Sequence, residues 1–162
     1  SGKQGYEIAI ALNKLGIKTT LITGPSRLTS PKGVKVKKII SADEMFNEVK
    51  KNLPVDLAVC TAAVTDFKPA EKSKNKIKKD KLNFKSINFI KNNDILDFLS
   101  KNNRNRPKIV AGFSAETKNV IKNSTLKMKN KNCDIIFANV RKWIYIGKSQ
   151  IIENLSNSTV QY

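Results

Sequence analysis

The stretch DLAVCTAAV at residues 56–64 decides the fold, because it is an almost unbroken run of small and β-branched apolar residues. Such a run is typical of a central parallel strand that is buried on both faces of a sheet. Two similar runs follow, KIVAGF at 108–113 and CDIIFA at 133–138. They alternate with segments of helical periodicity, which indicates an α/β fold. We predict a Rossmann-like, three-layer architecture with a mostly parallel sheet and helices on both faces.

Periodicity and turn signals assign most of the remaining chain. Ser41 and Glu44 form a capping-box pattern that predicts the start of a helix. The lysine-dense stretch 68–81 is too charged to pack, so we expect a surface loop there. The other predicted helices cover residues 5–15, 93–101 and 118–131, and the other predicted strands cover 18–23, 34–40 and 82–90.

The chain opens with SGKQG at residues 1–5, directly at the start of the first predicted helix. A glycine-rich turn that enters a helix can hold a phosphate, because glycine admits close approach and the free amides point at the anion. A strand normally delivers the chain to such a turn. We therefore expect that the first strand of the fold is missing and that the sequence is a fragment or comes from a truncated open reading frame.

Composition limits the chemistry. The chain has no histidine, which excludes a histidine general base and every Ser-His or Cys-His arrangement within it. Cys60 and Cys133 lie in separate apolar runs, so we expect buried thiols and a cytoplasmic location. No apolar run is long enough to cross a membrane. The net charge of +18 comes mainly from dispersed lysines, and we interpret it as largely solvated surface.

Polar and small residues cluster just after the predicted strands, where α/β folds bind ligands. Asp66 can accept hydrogen bonds or help to hold a metal ion, although a turn would also explain it. Lys127 and Lys131 are four residues apart on one helix and repel each other unless an anion lies near them. The clusters are TAAVTDF at 61–67, KIKK at 76–79, KNNDIL at 91–96, GFSAET at 112–117 and the lysine pair.

In this order and spacing, SGKQG, AAVTDF, KIKK, KNNDIL, GFSAET, the lysine pair and DIIFAN resemble phosphopantothenoylcysteine synthetase. The resemblance covers about residues 1–140, which it identifies as an N-terminally truncated synthetase domain; we expect residues 141–162 to be a divergent, partly ordered tail. It implies a ligase that joins cysteine to phosphopantothenate through an acyl-nucleotidylate formed with CTP and Mg²⁺. It also implies a homodimer and, in many bacteria, fusion to a decarboxylase domain, which alone carries FMN.

The resemblance also implies roles for individual residues. Lys76 matches the loop lysine that assists formation of the acyl-nucleotidylate, and it is our predicted catalytic residue. The nucleotide-binding residues implied are Gly2, Gly5, Cys60, Thr61, Ala62, Asp66, Lys76, Asn92, Asn93, Asp94, Ile95, Phe113, Lys127 and Lys131. Ala62, Ala63 and Asp66 are implied to contact phosphopantothenate as well. The metal ligands are left open.

The chain departs from the family pattern at several points. Asn93 stands where the family usually has proline, and Val140 follows Asn139 where aspartate is usual. An asparagine that serves amide formation would precede the SGKQG turn, so we expect nucleotide binding to survive better than the complete ligation. Two other hypotheses remain: a basic nucleic-acid-binding domain, and a dinucleotide-dependent oxidoreductase. Against the oxidoreductase, the chain has no G-x-G-x-x-G fingerprint, and Thr23–Pro25 stand where an acidic residue would be expected.

Overall fold

The computed structural model describes residues 2–71, 87–101, 104–139 and 143–147. These residues form four helices and eight strands. The helices are α1 (Lys3–Lys14), α2 (Ala42–Lys51), α3 (Ile95–Lys101) and α4 (Val120–Lys131). The strands are β1 (Thr20–Thr23), β2 (Lys35–Lys38), β3 (Leu57–Cys60), β4 (Phe67–Pro69), β5 (Phe89–Lys91), β6 (Ile109–Ala115), β7 (Ile135–Asn139) and β8 (Trp143–Gly147).

Parallel pairing dominates the sheets. The largest sheet has the strand order β3-β6-β7-β8, in which the first three strands are parallel and β8 is antiparallel to β7. Strands β1 and β2 form a separate parallel pair, and β4 and β5 form an antiparallel ribbon. The predicted α/β class with a mostly parallel sheet is therefore confirmed.

Local sequence signals explain where the helices begin and end. The Ser41 hydroxyl oxygen accepts a hydrogen bond from the backbone N–H of Glu44, and the Glu44 carboxylate accepts one from the N–H of Ile40. The Ser41 hydroxyl thus satisfies an amide of the first turn of α2, which confirms Ser41 as the predicted N-cap, whereas the Glu44 carboxylate binds the amide one residue before the N-cap rather than that of the N-cap itself. Helix α1 is followed by Gly16 at φ 78°, a left-handed conformation that glycine adopts without steric cost.

The core of the main sheet forms where α3 packs against β6. Leu99, Val110, Cys133 and Ile136 are its fully buried members. At Gly112, in the middle of β6, a Cβ atom would lie 2.8 Å from Leu96 Cδ2 and 3.0 Å from Ile136 Cδ1. A methyl group at residue 112 would have to push aside the ends of the Leu96 and Ile136 side chains, so glycine favours the close approach of α3 to β6.

A buried ion pair joins the start of β6 to the start of β7. Asp134, which is 4% exposed, accepts hydrogen bonds from the Arg106 guanidinium and from the N–H of Val110 at 2.7 and 2.8 Å. Arg106 also donates to the backbone carbonyls of Ser100 and Asn132. Because each charged group is paired and hydrogen-bonded, the pair is a fixed structural connection between α3, β6 and β7.

Strand β3 differs from the prediction. DLAVCTAAV was expected to be central and buried on both faces, but all four β3 residues are only half-buried. Among the described residues, β3 pairs with β6 alone and lies at the edge of its sheet, while β6 is the central strand. Apolar composition predicts that a strand is buried, but the neighbours on each side decide how far.

The segments around the lysine-rich loop were also predicted incompletely. The expected loop 68–81 begins with strand β4, because the backbone of Phe67–Pro69 pairs with β5. The expected strand 82–90 corresponds to β5 at Phe89–Lys91, and residues 72–86 lie outside the described part of the chain. Strand β8 was not predicted, since the pattern weakens after Asn139. In the described ranges, no helix is both long and apolar enough to cross a membrane.

We expect Gly112→Ala to lower the free energy of unfolding by about 1–2 kcal/mol, because the new methyl group must displace Leu96 and Ile136 in a packed core. Chemical denaturation measures the change. Gly24→Ala is the matched control, since a Cβ atom there meets nothing within 4 Å and should change stability by less than about 0.5 kcal/mol. Equal effects of the two substitutions would contradict the packing argument.

Candidate functional site

Among the residues that the structure describes, the first backbone amides of α1 have no hydrogen-bond acceptor. Gly2 takes the N-cap position at φ 70° and provides no side-chain hydrogen bond to the first turn. The first amides of a helix have no intrahelical acceptor, and the helix dipole adds positive potential at that end. The predicted phosphate cradle at SGKQG therefore has the backbone arrangement that an anion requires.

Helix α1 lies very close to the residue that follows β3. A Cβ atom at Gly5 would be 2.9 Å from the Thr61 hydroxyl oxygen and 3.8 Å from Leu21 Cδ1. Gly5 is therefore the position at which α1 contacts both β1 and the end of β3. The contact places the Thr61 hydroxyl beside the first turn of the helix.

A cavity of about 500 Å³ opens at this point, between the carboxyl ends of β1 and β3 and the N-termini of α1 and α2. None of the described residues that line it is charged, in a chain whose net charge is +18. Five predicted site residues line it, namely Gly2, Gly5, Thr61, Ala62 and Ala63. Its lining also includes Gln4, Thr23, Gly24, Ser41 and Met45, which we did not predict as site residues. The strand-end rule could have identified Thr23 and Gly24, which directly end β1.

A second group of predicted residues lies where the segment that follows β3 contacts the residues before α3. The Asn92 side chain, 8% exposed, donates a hydrogen bond to the Thr65 carbonyl at 2.8 Å, and its backbone N–H donates to the Asp66 carbonyl at 2.7 Å. The Thr65 end of this segment lines the uncharged cavity. The segment 61–66 therefore connects the cavity to the start of α3.

Two lysines of α4 reach this second group. Lys131 Nζ lies 2.6 Å from Asp94 Oδ2 and 3.7 Å from Asp97 Oδ1. Lys127 Nζ donates to the backbone carbonyl of Phe113 at 2.8 Å. The repulsion expected between the two lysines is thus relieved by acceptors within the protein, and the Asp94 carboxylate is the nearby anion. We call Asp94, Phe113, Lys127 and Lys131 the lysine cluster.

The charges of the lysine cluster shift each other's titration. Burial by itself would raise the pKa of Asp94, but hydrogen bonds from Lys131 and the Asp97 N–H, with the charges of Lys131 and Lys127, hold that pKa below its usual value. The hydrogen bond to Asp94 raises the pKa of Lys131 against the effect of burial, and the charges of Asp94, Asp97 and Asp66 act in the same direction. Both groups are therefore ionised near neutral pH.

Cys60 ends β3 and packs against the core. Burial, with smaller contributions from the charges of Asp94 and Cys133, raises the pKa of its thiol to about 12. A thiol with this pKa stays neutral at pH 7 and is a poor nucleophile. Cys60 can therefore contribute shape and backbone groups to a site, but not covalent catalysis.

The remaining predicted residues have different surroundings. Phe113 stacks on Phe137 with ring centroids 5.1 Å apart. Ile95 packs against the core, whereas Asn93 is exposed. Asp94 accepts a hydrogen bond from the Asp97 N–H at 2.9 Å and caps α3, so part of the KNNDIL motif has a structural role. Lys76, the predicted catalytic residue, lies outside the described residues.

The described residues offer few carboxylates that could bind a metal ion. In the described part of the chain, no group of three or more histidine, cysteine, aspartate or glutamate side chains could hold a metal ion. Mg²⁺ commonly binds through one or two carboxylates together with phosphates of the substrate. Asp66 is exposed between β3 and β4, and its charge acts on Lys131. It fits the role of a carboxylate beside a phosphate-bound magnesium ion.

The described residues thus combine free amides, an uncharged cavity and a cationic cluster along the segment 61–66. Amides and lysines stabilise polyphosphate and the charge that develops when a phosphate bond breaks. An uncharged cavity holds the neutral parts of a ligand. With no histidine and a neutral thiol, positioning and charge stabilisation are the chemistry that these residues can provide.

Comparisons with known sequences agree with the motifs. Residues 1–151 match the family model of the DNA/pantothenate metabolism flavoprotein C-terminal domain. A coenzyme A biosynthesis bifunctional protein CoaBC from Borreliella burgdorferi is 39% identical over 96% of this chain and 42% of its own length. The protein of the same name from Haemophilus influenzae is 41% identical over 86% of the chain and 34% of its own length. The chain therefore spans less than half of these relatives.

Solved structures give the same result. The crystal structure of the C-terminal domain of a coenzyme A biosynthesis bifunctional protein CoaBC is similar, with a TM-score of 0.71 and 28% identity over 97% of this chain and 80% of the other. A DNA/pantothenate metabolism flavoprotein from Streptococcus pneumoniae shares the fold, with a TM-score of 0.65 and 16% identity over 96% and 84% of the two chains. The resemblance inferred from the motifs is confirmed, and the chain belongs to the DNA/pantothenate metabolism flavoprotein C-terminal domain family.

Proposed function

We propose that this chain is a phosphopantothenate–cysteine ligase domain that uses CTP and acts in coenzyme A biosynthesis. The observation that supports this most directly is the position of the segment 61–66. Its residues line the cavity beside the start of α1, and Thr65 is hydrogen-bonded to Asn92, two residues before the Asp94 that pairs with Lys131. The names of the similar bifunctional proteins point to the same metabolism.

In the first step, a carboxylate oxygen of phosphopantothenate attacks the α-phosphorus of CTP. The bond between the α-phosphorus and the bridging oxygen breaks, pyrophosphate leaves, and an acyl-cytidylate forms. The amides at Gly2–Gly5 and the ammonium groups of Lys127 and Lys131 hold the phosphates in line for this displacement. Lys76 is the proposed catalytic lysine, which neutralises the charge that develops on the transferred phosphate.

In the second step, the amine of cysteine attacks the acyl carbon. CMP leaves, the amine loses a proton, and an amide bond forms. Ala62, Ala63 and Asp66 are the proposed contacts to phosphopantothenate in both steps. Small side chains at 62 and 63 let the substrate lie against the backbone, beside the uncharged cavity. Mg²⁺, when bound with the nucleotide through Asp66, would neutralise phosphate charge.

The cofactors and location complete the proposal. FMN belongs to a decarboxylase domain fused to the synthetase domain in bifunctional relatives, and we assign no FMN site to this chain. We propose a cytoplasmic location, which the free thiols of Cys60 and Cys133 support, because reducing compartments keep cysteines unpaired. The nucleic-acid alternative is less well supported, because arginines are few and aromatic residues make up only 7% of the chain, so the sequence gives no sign of aromatic stacking platforms beside basic residues.

A thermal-shift titration with CTP and Mg²⁺, with and without phosphopantothenate, tests the binding function. At a ligand concentration of 100 times Kd, binding stabilises the fold by about 2.7 kcal/mol. We expect a rise in Tm with CTP that increases with phosphopantothenate, and Lys127→Met should weaken CTP binding at least about tenfold. Lys129→Met, on an exposed part of the same helix, is the matched control. Tighter binding of random DNA than of CTP at physiological salt would overturn the proposal.

The role of Lys76 has its own test. Lys76→Gln should slow acyl-cytidylate formation about 100-fold or more, because a cation that faces the developing charge contributes to the transition state. Release of pyrophosphate in the absence of cysteine measures this step. Lys74→Gln removes a charge from the same lysine-rich segment and should leave the rate nearly unchanged. If both variants react at the same rate, Lys76 is not the catalytic lysine.

We also propose that two copies pair through the β4–β5 ribbon. Phe67 and Phe89 are 60% and 59% exposed, and Ile87 and Ile90 add to the apolar surface. A short ribbon with exposed aromatic residues favours pairing with another copy, and a twofold pair would use the same surface on both chains.

Phe67→Ser combined with Phe89→Ser should convert the dimer to a monomer, because the exposed apolar surface is lost. Sedimentation equilibrium measures the mass. Ile121→Ser is the control, since Ile121 is 62% exposed on α4, away from the ribbon. A dimer that persists in the double variant would exclude the ribbon as the interface.

A further inference from the structure

Within the lysine cluster, the Asp94 carboxylate occupies the position beside Lys127 and Lys131 that an anionic ligand of these two lysines would need. Its Oδ2 lies 2.6 Å from Lys131 Nζ, and its charge also interacts with Lys127, one turn earlier on α4. Two lysines four residues apart form a natural site for a phosphate group. Without a ligand, the Asp94 carboxylate takes the place of that phosphate group.

The first turn of α3 also holds the Asp94 side chain in place. Its Oδ1 accepts the hydrogen bond from the Asp97 N–H that caps α3, so the carboxylate cannot turn away without loss of the cap. The side chains of Lys131 and Asp94 are 30% and 35% exposed, so the pair is open to a competing anion from solvent. The ion pair is thus accessible and fixed in orientation.

We propose that Asp94 is an internal competitor for the phosphates of the nucleotide and thereby sets the affinity of the lysine cluster for polyphosphate. To bind a phosphate, the Lys131 ammonium group must leave the Asp94 carboxylate, which stays in place as the cap of α3, so the bound phosphate lies beside its negative charge. The penalty lowers the affinity of every polyphosphate by a similar factor. A nucleotide also gains contacts at α1 and the cavity and can still bind, whereas a small anion without them binds weakly. The inference rests on the proposed function in placing the nucleotide phosphates at this cluster.

Asp94→Asn is a suitable test, because asparagine retains the oxygen that caps α3 and removes only the charge. An ion pair of this exposure is weak, so we expect inorganic pyrophosphate to bind about fivefold more tightly to the variant. Isothermal titration calorimetry measures the affinity, and the unfolding midpoint shows that the cap is intact. Asp97→Asn is the matched control, since Asp97 pairs with Lys101 at 2.7 Å and lies 3.7 Å from Lys131. It should change the affinity by less than about twofold.

A second background separates displacement from general repulsion. In Lys131→Met, the carboxylate has lost its partner, so Asp94→Asn should no longer tighten pyrophosphate binding. The inference is overturned if Asp94→Asn weakens binding, leaves it unchanged or undetectable, or tightens it equally with and without Lys131. Because pyrophosphate is the probe, failure of the competitor role leaves CTP binding to be judged by its own titration. Absence of CTP binding would refute the nucleotide function alone.

Discussion

The close packing of α3 against β6 at Gly112 is the constraint on which the other features depend. Because residue 112 has no side chain, Leu96 and Ile136 fill the space above the strand. Helix α3 can then begin beside the carboxyl end of β6, and its cap residue Asp94 comes within hydrogen-bonding distance of Lys131 on α4. The buried pair between Arg106 and Asp134 holds the opposite end of the same strands. The lysine cluster is therefore a consequence of how tightly one helix lies on one strand.

The distribution of charge follows from the same packing. The chain has 31 lysine and arginine residues but only 13 aspartate and glutamate residues, so each carboxylate has many possible partners. The acidic residues on α3 pair with lysines of α3 and α4, and Asp43 of α2 pairs with Lys68 of the ribbon. The cavity beside α1 is lined by described residues without charge. One part of the candidate site is therefore electrostatic and the other depends on shape and backbone hydrogen bonds.

Much of the fold was predictable because its signals are local. The apolar runs at 108–113 and 133–138 became β6 and β7, and the N-cap at Ser41 formed as expected. Strand pairing was not predictable to the same degree. The apolar run at β3 looks central in sequence, yet its residues are half-buried because, among the described strands, only β6 pairs with it. The β4–β5 ribbon depends on pairing between segments about 20 residues apart, and neither three-residue strand has a strong pattern of its own.

The candidate site divides in the same way. The sequence by itself determined which residue types end the strands, the glycine-rich segment SGKQG that we interpret as a phosphate cradle, the ordered motifs of the family and the absence of histidine. Only the tertiary structure decided that Gly5 contacts Thr61, that Met45 and Ser41 line the cavity, and that Asp94 pairs with Lys131. The two residue pairs are 37 or more positions apart in the sequence, and the cavity is lined by several different secondary-structure elements. Their distances are set by packing, for which local sequence contains no measure.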